Sequence, residues 1–258
     1  MLTELTKETL LGGRVGKIHK VQDKVIRPVN KWTGDIHRFL QFLHEEGADF
    51  VPKPHGINEN GEEVLSFVPG DVFNSLPKGL LTDTVLISAA KLLLKFHTFS
   101  GKYISRLTQN EQWMLPVVTP IEVMCHGDFA PYNVTMIEDV AFGIIDFDTL
   151  HPGSKMWDIV YAVYRWVPIE ASEQDVLGEQ IRKVKLFLDT YGVTTASKEC
   201  FVELLIKRLE ALVNFMSQEA ANGNEDFELH IAEGHLQKYL DDIEYLRIHE
   251  KEIMDGIK

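Results

Sequence analysis

The sequence predicts an α+β protein in two parts, a short strand-rich front that carries one helix and a longer, mainly helical remainder. Three observations lead there. Strand-like stretches punctuated by turn signals fill residues 1–67, with one amphipathic segment among them. From residue 81 onward, apolar residues recur at spacings of three and four, the period of a helix with one buried face. Between these parts and the helical tail stands an acidic segment, Cys125-His126-Gly127-Asp128-Phe129-Ala130-Pro131-Tyr132-Asn133, followed within one short hairpin by Gly143-Ile144-Ile145-Asp146-Phe147-Asp148.

The front begins with a strand, a turn bearing Gly12, Gly13 and Gly16, and a second strand in which Val15, Lys17 and His19 alternate with Gly16, Ile18 and Lys20. Glycine lets backbone N–H groups approach a phosphate because no Cβ stands in the way, although an ordinary hairpin turn explains these glycines equally well. A third strand covers residues 24–29. After Trp32, Thr33 is placed as an N-cap and Asp35 in the first helical turn, while Ile36, Phe39, Leu40 and Leu43 form an apolar face that ends at Gly47. Asn60-Gly61, between Gly56-Ile57 and residues 63–67, predicts a type I′ hairpin that runs into Val68-Pro69-Gly70.

Val85, Leu86, Ala89, Leu92, Leu93 and Phe96 mark a helix over residues 81–97, followed by an irregular stretch to Pro120 with room for one short helix. Residues 134–137 and 140–145 form the strands of the acidic hairpin. His151-Pro152-Gly153 turns the chain into a helix from Lys155, with Asp158 near its start. Periodic segments at 176–191, 199–220 and 228–247 complete the tail, the last two separated by Asn222-Gly223-Asn224. Glu170, Glu173, Glu219 and Asp226 in this region suit either a pocket for a cationic substrate or a solvated helix face.

The acidic segment carries the chemistry. Gly127 and Pro131 break helix and strand, which holds Asp128 and Asn133 on one rigid turn, and the next strand delivers Asp146 beside them. One Asn and one Asp supply hard oxygen ligands, and a further carboxylate can accept a proton. That set suits magnesium-assisted phosphoryl transfer and not zinc. Cys125 and His126 do not form a nucleophile and base, because adjacent strand residues face opposite ways.

His126-Gly127-Asp128 with Asn133 five residues past the Asp, then Ile145-Asp146-Phe147, resembles the aminoglycoside phosphotransferase-like small-molecule kinases. The likeness spans nearly the whole chain and is specific between residues 125 and 158. It implies a two-lobed, protein-kinase-like fold, with a nucleotide-binding lobe over residues 1–67 and a catalytic and substrate lobe over residues 68–258. It implies Asp128 as catalytic base, Asn133 and Asp146 as Mg2+ ligands, and His126 and Asp158 as braces of the catalytic turn. Asp148 stands where protein kinases have Gly and is either an outer metal-shell carboxylate or a structural acceptor. Gly13 falls at the front of the nucleotide lobe, and the backbone of Ser66 to Val68 falls where an adenine edge is met. The phosphate-binding lysine of the pattern is replaced by Arg27, or by Lys24 if the strand register is shifted. The helix that usually supplies a Glu to that lysine here reads Gly34-Asp35-Ile36-His37-Arg38, which leaves Asp35 or His37 to orient Arg27.

The resemblance implies phosphorylation of a hydroxyl on a small molecule, aminoglycoside-like or other, with ATP or GTP as co-substrate. The departures at Arg27 and in the helix leave a second reading, a non-catalytic ligand-binding or toxin-immunity protein on the same fold. Composition narrows the partners. A formal charge of −13 over 258 residues opposes a general nucleic-acid binder, which needs a basic surface to displace counterions. Two cysteines are too few for a disulfide scaffold, no run approaches the length of a membrane span, and the first residues lack the n- and h-regions of a signal peptide. The expected partners are therefore nucleotide and small acceptor, without nucleic acid, membrane or an obligate protein partner, in the cytoplasm.

Overall fold

The computed structural model describes residues 7–9, 18–74, 76–77, 79–108, 110–169 and 177–258. The Gly-rich turn with Gly12, Gly13 and Gly16, together with Glu170 and Glu173, lies outside the described residues. The chain divides into two compact units, residues 1–155 and 156–258.

The first unit is built on a five-stranded sheet of β1 (Lys7–Thr9), β2 (His19–Val21), β3 (Lys24–Pro28), β4 (Pro54–Ile57) and β5 (Glu62–Ser66), in the order β1-β2-β3-β5-β4. Every neighbour in it is antiparallel. In β3 and β5 the register sets Arg27 opposite Glu63 and Val25 opposite Leu65. The β4–β5 hairpin forms where Asn60-Gly61 predicts it, but its turn is not type I′. Type I′ needs two successive residues at positive φ, and of this pair only Gly61 has one, at 78°. The four-residue loop is instead shaped by Asn58, whose Oδ1 accepts from the Asn60 and Glu62 amides at 3.0 and 2.9 Å.

The helix α1 (Thr33–Glu45) follows β3. Thr33 is its first residue rather than its cap, and the hydroxyl accepts the Asn30 amide at 2.8 Å to close the entering turn. Ile36, Phe39, Leu40 and Leu43 are buried as the periodicity requires, and Gly47, at φ 88°, ends the helix. The longer α2 (Asp83–Tyr103) is capped by Thr82, whose side chain accepts the Val85 amide. The irregular stretch after it holds one 3-10 turn, Ile104–Arg106.

Four short strands then shape the acidic segment. β6 (Val123–Cys125) pairs with β9 (His151–Gly153), and β7 (Val134–Ile137) pairs with β8 (Val140–Ile144). An aromatic cluster supports them: Phe147 lies 4.9 Å from the His126 ring, 5.9 Å from Phe96 and 6.2 Å from Phe39. All four are almost fully buried, so the loops bearing the acidic residues rest on a close-packed floor. The chain leaving β5 is fixed to the hairpin by reciprocal 2.8 Å bonds between Asp71 and Met136.

The second unit is helical. It comprises most of α3 (Lys155–Trp166), then α4 (Leu177–Tyr191), α5 (Thr195–Lys198), α6 (Phe201–Ala221), α7 (Glu225–Ala232) and α8 (His235–Ile257). The single helix expected over residues 228–247 is two, because Gly234 adopts φ 88° and interrupts the apolar period. Its interior includes Tyr164, whose hydroxyl donates to Asp242 at 2.7 Å. Burial and then the Asp242 charge push the Tyr164 pKa far up, so it stays a donor at all physiological pH.

Gly143 in β8 tests how closely the first unit is packed. A Cβ there would overlap Val68 Cγ1 and lie 2.8 Å from Thr135 Oγ1, both buried. Gly143→Ala should cost about 1–3 kcal/mol through overpacking, read as a lower melting temperature; an unchanged melting curve would show that this contact is loose.

Candidate active site

The site forms where the loop between β6 and β7 meets the end of β8. Gly127 turns that loop at φ 82°, and a Cβ at this position would collide with the Thr149 carbonyl oxygen. His126, fully buried, spans the loop: its Nδ1 accepts the Asp128 amide at 3.2 Å and its Nε2 faces the Ile145 carbonyl at 3.0 Å. A ring that accepts at Nδ1 and must donate at Nε2 is the neutral Nε2–H tautomer. The side chain therefore joins the turn bearing Asp128 to the strand end that precedes Asp146.

Asp128 and Asn133 are in contact. The Asn133 Nδ2 donates to Asp128 Oδ2 at 2.9 Å and to the Asp128 carbonyl at 3.0 Å. With two acceptors facing the nitrogen, the amide has one orientation, and Oδ1 is left as an oxygen ligand pointing away from Asp128. The other carboxylate oxygen, Asp128 Oδ1, accepts the Tyr132 hydroxyl at 2.7 Å. The Ile145 amide donates to the Asn133 carbonyl at 2.9 Å, which places Asp146 next to Asn133 along the backbone. Asp146 itself sits at φ 58°, an uncommon conformation for a residue with a side chain and one that this network holds in place.

Arg27 closes the site from the sheet. It is 7% exposed and makes three ion pairs: Nε with Glu63, Nη1 with Asp146 Oδ1 at 2.9 Å and Nη2 with Asp148 Oδ1 at 3.1 Å. The planar fork suits three acceptors in one plane, which a lysine ammonium would not reach at once. Burial alone would lower the guanidinium pKa; the charges of Asp148, Asp146 and Glu63 outweigh it and raise the value, so Arg27 is always a cation. Lys24 is exposed at the start of β3, and the register without a shift selects Arg27 as the residue that reaches the acidic hairpin.

The carboxylate that orients Arg27 comes from Glu63 and not from α1. His37 acts one step removed, with Nε2 2.8 Å from Glu63 Oε1, while Asp35 is taken up by Arg38 and the Gln112 amide. The signal for Glu63 lay in its strand, where the buried positions of Glu62–Ser66 are Glu63 and Leu65; an acid on the inward face of a strand asks for a cation opposite. Asp148 accepts from Arg27, from Asn30 Nδ2 at 3.3 Å and from Trp32 Nε1 at 3.3 Å, a structural set that the sequence reading left open. Neither Asn30 nor Trp32 carries a motif signal.

Two other expected residues, Ser66 and Val68, lie at the end of β5 and just beyond it. Ser66 lies opposite Lys24, three residues along β3 from Arg27; its amide donates to the Lys53 carbonyl and its hydroxyl accepts the Lys53 amide, both at 2.8 Å. The Phe67 amide donates to the Asp23 carbonyl, whereas the Val68 amide makes no backbone hydrogen bond among the described residues. Asp158 is buried in α3 within the second unit. Gly13 lies outside the described residues.

The donor set fits a hard divalent cation. Asn133 Oδ1 and the second oxygen of Asp146 make no hydrogen bond among the described residues, and the Asp146 side chain is 39% exposed. Among those residues no group of three or more His, Cys, Asp or Glu could hold a metal by itself. Two available oxygens of this kind are what Mg2+ can take from a protein, the rest of its shell coming from phosphates and water.

Residues 102–182 match the model of the phosphotransferase enzyme family, the one that the motifs resemble. No curated protein sequence matches the chain. Among solved structures, aminoglycoside 2′-phosphotransferase-IIIa in its GDP complex is 13% identical with a TM-score of 0.62 over 95% of this chain and 93% of its own. A choline/ethanolamine kinase family protein from Mesorhizobium loti is 14% identical with a TM-score of 0.60, over 94% and 92%. The choline kinase LicA from Streptococcus pneumoniae is 15% identical with a TM-score of 0.57, over 94% and 93%. The protein-kinase-like α+β fold read from the sequence is the fold of this chain.

The ion pairs set a pH dependence. Burial would raise the Glu63 pKa, but the hydrogen bond from His37 and the charge and hydrogen bond of Arg27 hold it below the usual carboxylate range. A depressed folded-state value means that stability from Glu63 is complete above its unfolded pKa and is lost as pH falls through the folded one. Glu63→Gln should thus melt lower than the parent at pH 7, by about 3 kcal/mol, the low end for breaking a buried ion pair. The gap should narrow below about pH 4 as the parent's carboxylate protonates. Melting curves that keep the same gap from pH 7 to pH 3 would contradict the ionised state of Glu63.

Proposed function

We propose that this chain is an ATP- or GTP-dependent phosphotransferase that phosphorylates a hydroxyl of a small molecule by direct in-line transfer. The observation that carries this reading is the convergence of Asp128, Asn133 and Asp146, with the Asn133 amide turned so that its oxygen is available to a cation and its nitrogen holds the carboxylate of Asp128. Asp128 is the general base, held within hydrogen-bond reach of an incoming hydroxyl and oriented by Asn133. Asn133 and Asp146 are the residues that would hold Mg2+, and a bound magnesium nucleotide would supply the phosphoryl group and neutralise its charge. His126 fixes the spacing of the two loops, and Arg27 positions Asp146 while offering its cation to phosphate oxygens. Asp148 supports Arg27, and Asp158 is assigned a bracing role.

The nucleotide is placed along β3 and β5. Ser66 and Val68 mark the base end through backbone groups, with the Val68 amide as donor, and Arg27 marks the phosphate end. Three residues of strand, about 10 Å, separate them, which leaves room for the sugar. Gly13 contributes to the phosphate side. In this assignment residues 1–67 bind nucleotide and residues 68–258 carry the base, the metal ligands and the acceptor site. Aminoglycosides and amino alcohols are acceptor classes suggested by the structural relatives, and the surplus of negative charge favours a cationic acceptor. No described helix is long and apolar enough to cross a membrane, and the reading keeps the protein in the cytoplasm. A non-catalytic binder is less favoured, because one of the two departures behind it, the Glu missing from the helix, is answered by Glu63, which pairs with Arg27.

The test is turnover against a panel of amino sugars, sugars and amino alcohols. Asp128→Ala should lower transfer by about 10²–10⁴, the usual contribution of a general base, while nucleotide binding persists. Asn133→Ala and Asp146→Ala should instead raise the magnesium concentration required for half-maximal turnover. Transfer by Asp128→Ala at the parent rate, or an unaltered magnesium requirement in both other variants, would overturn the assignment.

A further inference from the structure

A carboxylate beside a guanidinium frequently takes it with both oxygens, each accepting from one nitrogen of the planar fork. Glu63 does not. Only its Oε2 meets Arg27, at Nε, while Oε1 is turned to His37 Nε2 at 2.8 Å. Glu63 is fully buried and held ionised, so Oε1 can only accept and the His37 Nε2 carries the hydrogen. No third donor bonds this carboxylate among the described residues. Arg27 keeps Nη1 on Asp146 at 2.9 Å and Nη2 on Asp148 at 3.1 Å.

We infer that His37 is a positioning residue for phosphoryl transfer, holding Glu63 to a single point of Arg27 so that the terminal nitrogens stay on the acidic hairpin. This rests on the reading of Arg27 and Asp146 as part of the nucleotide and metal site. The physical reason is the cost of an unpaired oxygen. Without a donor at position 37, Oε1 is a buried, charged atom lacking a partner, and the carboxylate turns about its last torsion until that oxygen also meets Arg27. The resulting two-point pair holds the guanidinium more strongly from the sheet side. Less of its charge then reaches Asp146, Asp148 and a bound phosphate. Strand register does not prevent this, because β3 and β5 set Arg27 opposite Glu63 whatever occupies position 37. The His37 side chain is 16% exposed and lines a cleft between α1 and β4, so replacing it opens no closed cavity.

The experiment is calorimetry of Mg-ATP and Mg-GTP binding to the parent, His37→Gln, His37→Met and His37→Ala, repeated in an Arg27→Ala background. Gln keeps an N–H donor on a side chain of similar length, whereas Met keeps the length and loses the donor. His37→Met and His37→Ala should bind nucleotide about tenfold more weakly than the parent, the scale of one charge-assisted hydrogen bond, and His37→Gln should bind as the parent does. In the Arg27→Ala background none of the three should change affinity further, because the residue through which they act is gone. A packing role predicts that Gln and Met behave alike, or that the loss persists without Arg27, and either result overturns the inference. Binding that depends on Mg2+ and Arg27 but not on position 37 overturns this inference and leaves the phosphotransferase reading standing. No nucleotide binding by the folded parent overturns both together.

Discussion

Arg27 is the interaction on which the candidate site depends. One buried guanidinium joins Glu63 on β5, Asp146 at the end of β8 and Asp148 beyond it, so that sheet and acidic hairpin share a single cation. Burying Glu63 and half-burying Asp148 without it would be costly, and removing one partner from such a group leaves an uncompensated charge. The cluster still carries more negative than positive charge, with three carboxylates around one guanidinium and His37 beside Glu63. A divalent cation would offset that imbalance, since Asp146 gives Arg27 one oxygen and keeps the other exposed to the site.

The remaining structure serves to hold that cluster still. Phe39, Phe96 and Phe147 form the floor on which His126 rests, and His126 in turn fixes the distance between the Asp128 turn and the strand leading to Asp146. Gly127 and Gly143 permit backbone and side chains to approach where any Cβ would intrude. The positive φ of Asp146 is maintained because its neighbours leave it no other place, the usual circumstance of a strained residue at a functional site.

Much of this was legible in the sequence because it is local. The turn bearing Asp128 and Asn133 is set by residues within nine positions, and the helical faces of α1 and α2 follow directly from apolar spacing. Glu63 was not legible, since its partner lies 36 residues away and only the β3–β5 register brings the two together. Expecting the orienting carboxylate on α1 overlooked that a strand opposite Arg27 offers a shorter path. The roles of Asn30 and Trp32 were hidden for the same reason, being fixed by where Asp148 comes to rest. The type I′ expectation at Asn60-Gly61 missed because Asn58, two residues earlier, competes for the turn with its own side chain.

The central claim is that Arg27 and its carboxylates make a site for a magnesium-bound nucleotide. Titration calorimetry of ATP and GTP into the parent and Arg27→Ala, with and without Mg2+, tests it most directly. The account predicts binding of at least one nucleotide to the parent that requires Mg2+, and at least about tenfold weaker binding to Arg27→Ala, the loss of a charge-assisted hydrogen bond. Nucleotide affinity indifferent to both magnesium and Arg27, or no nucleotide binding by the folded parent, would contradict it.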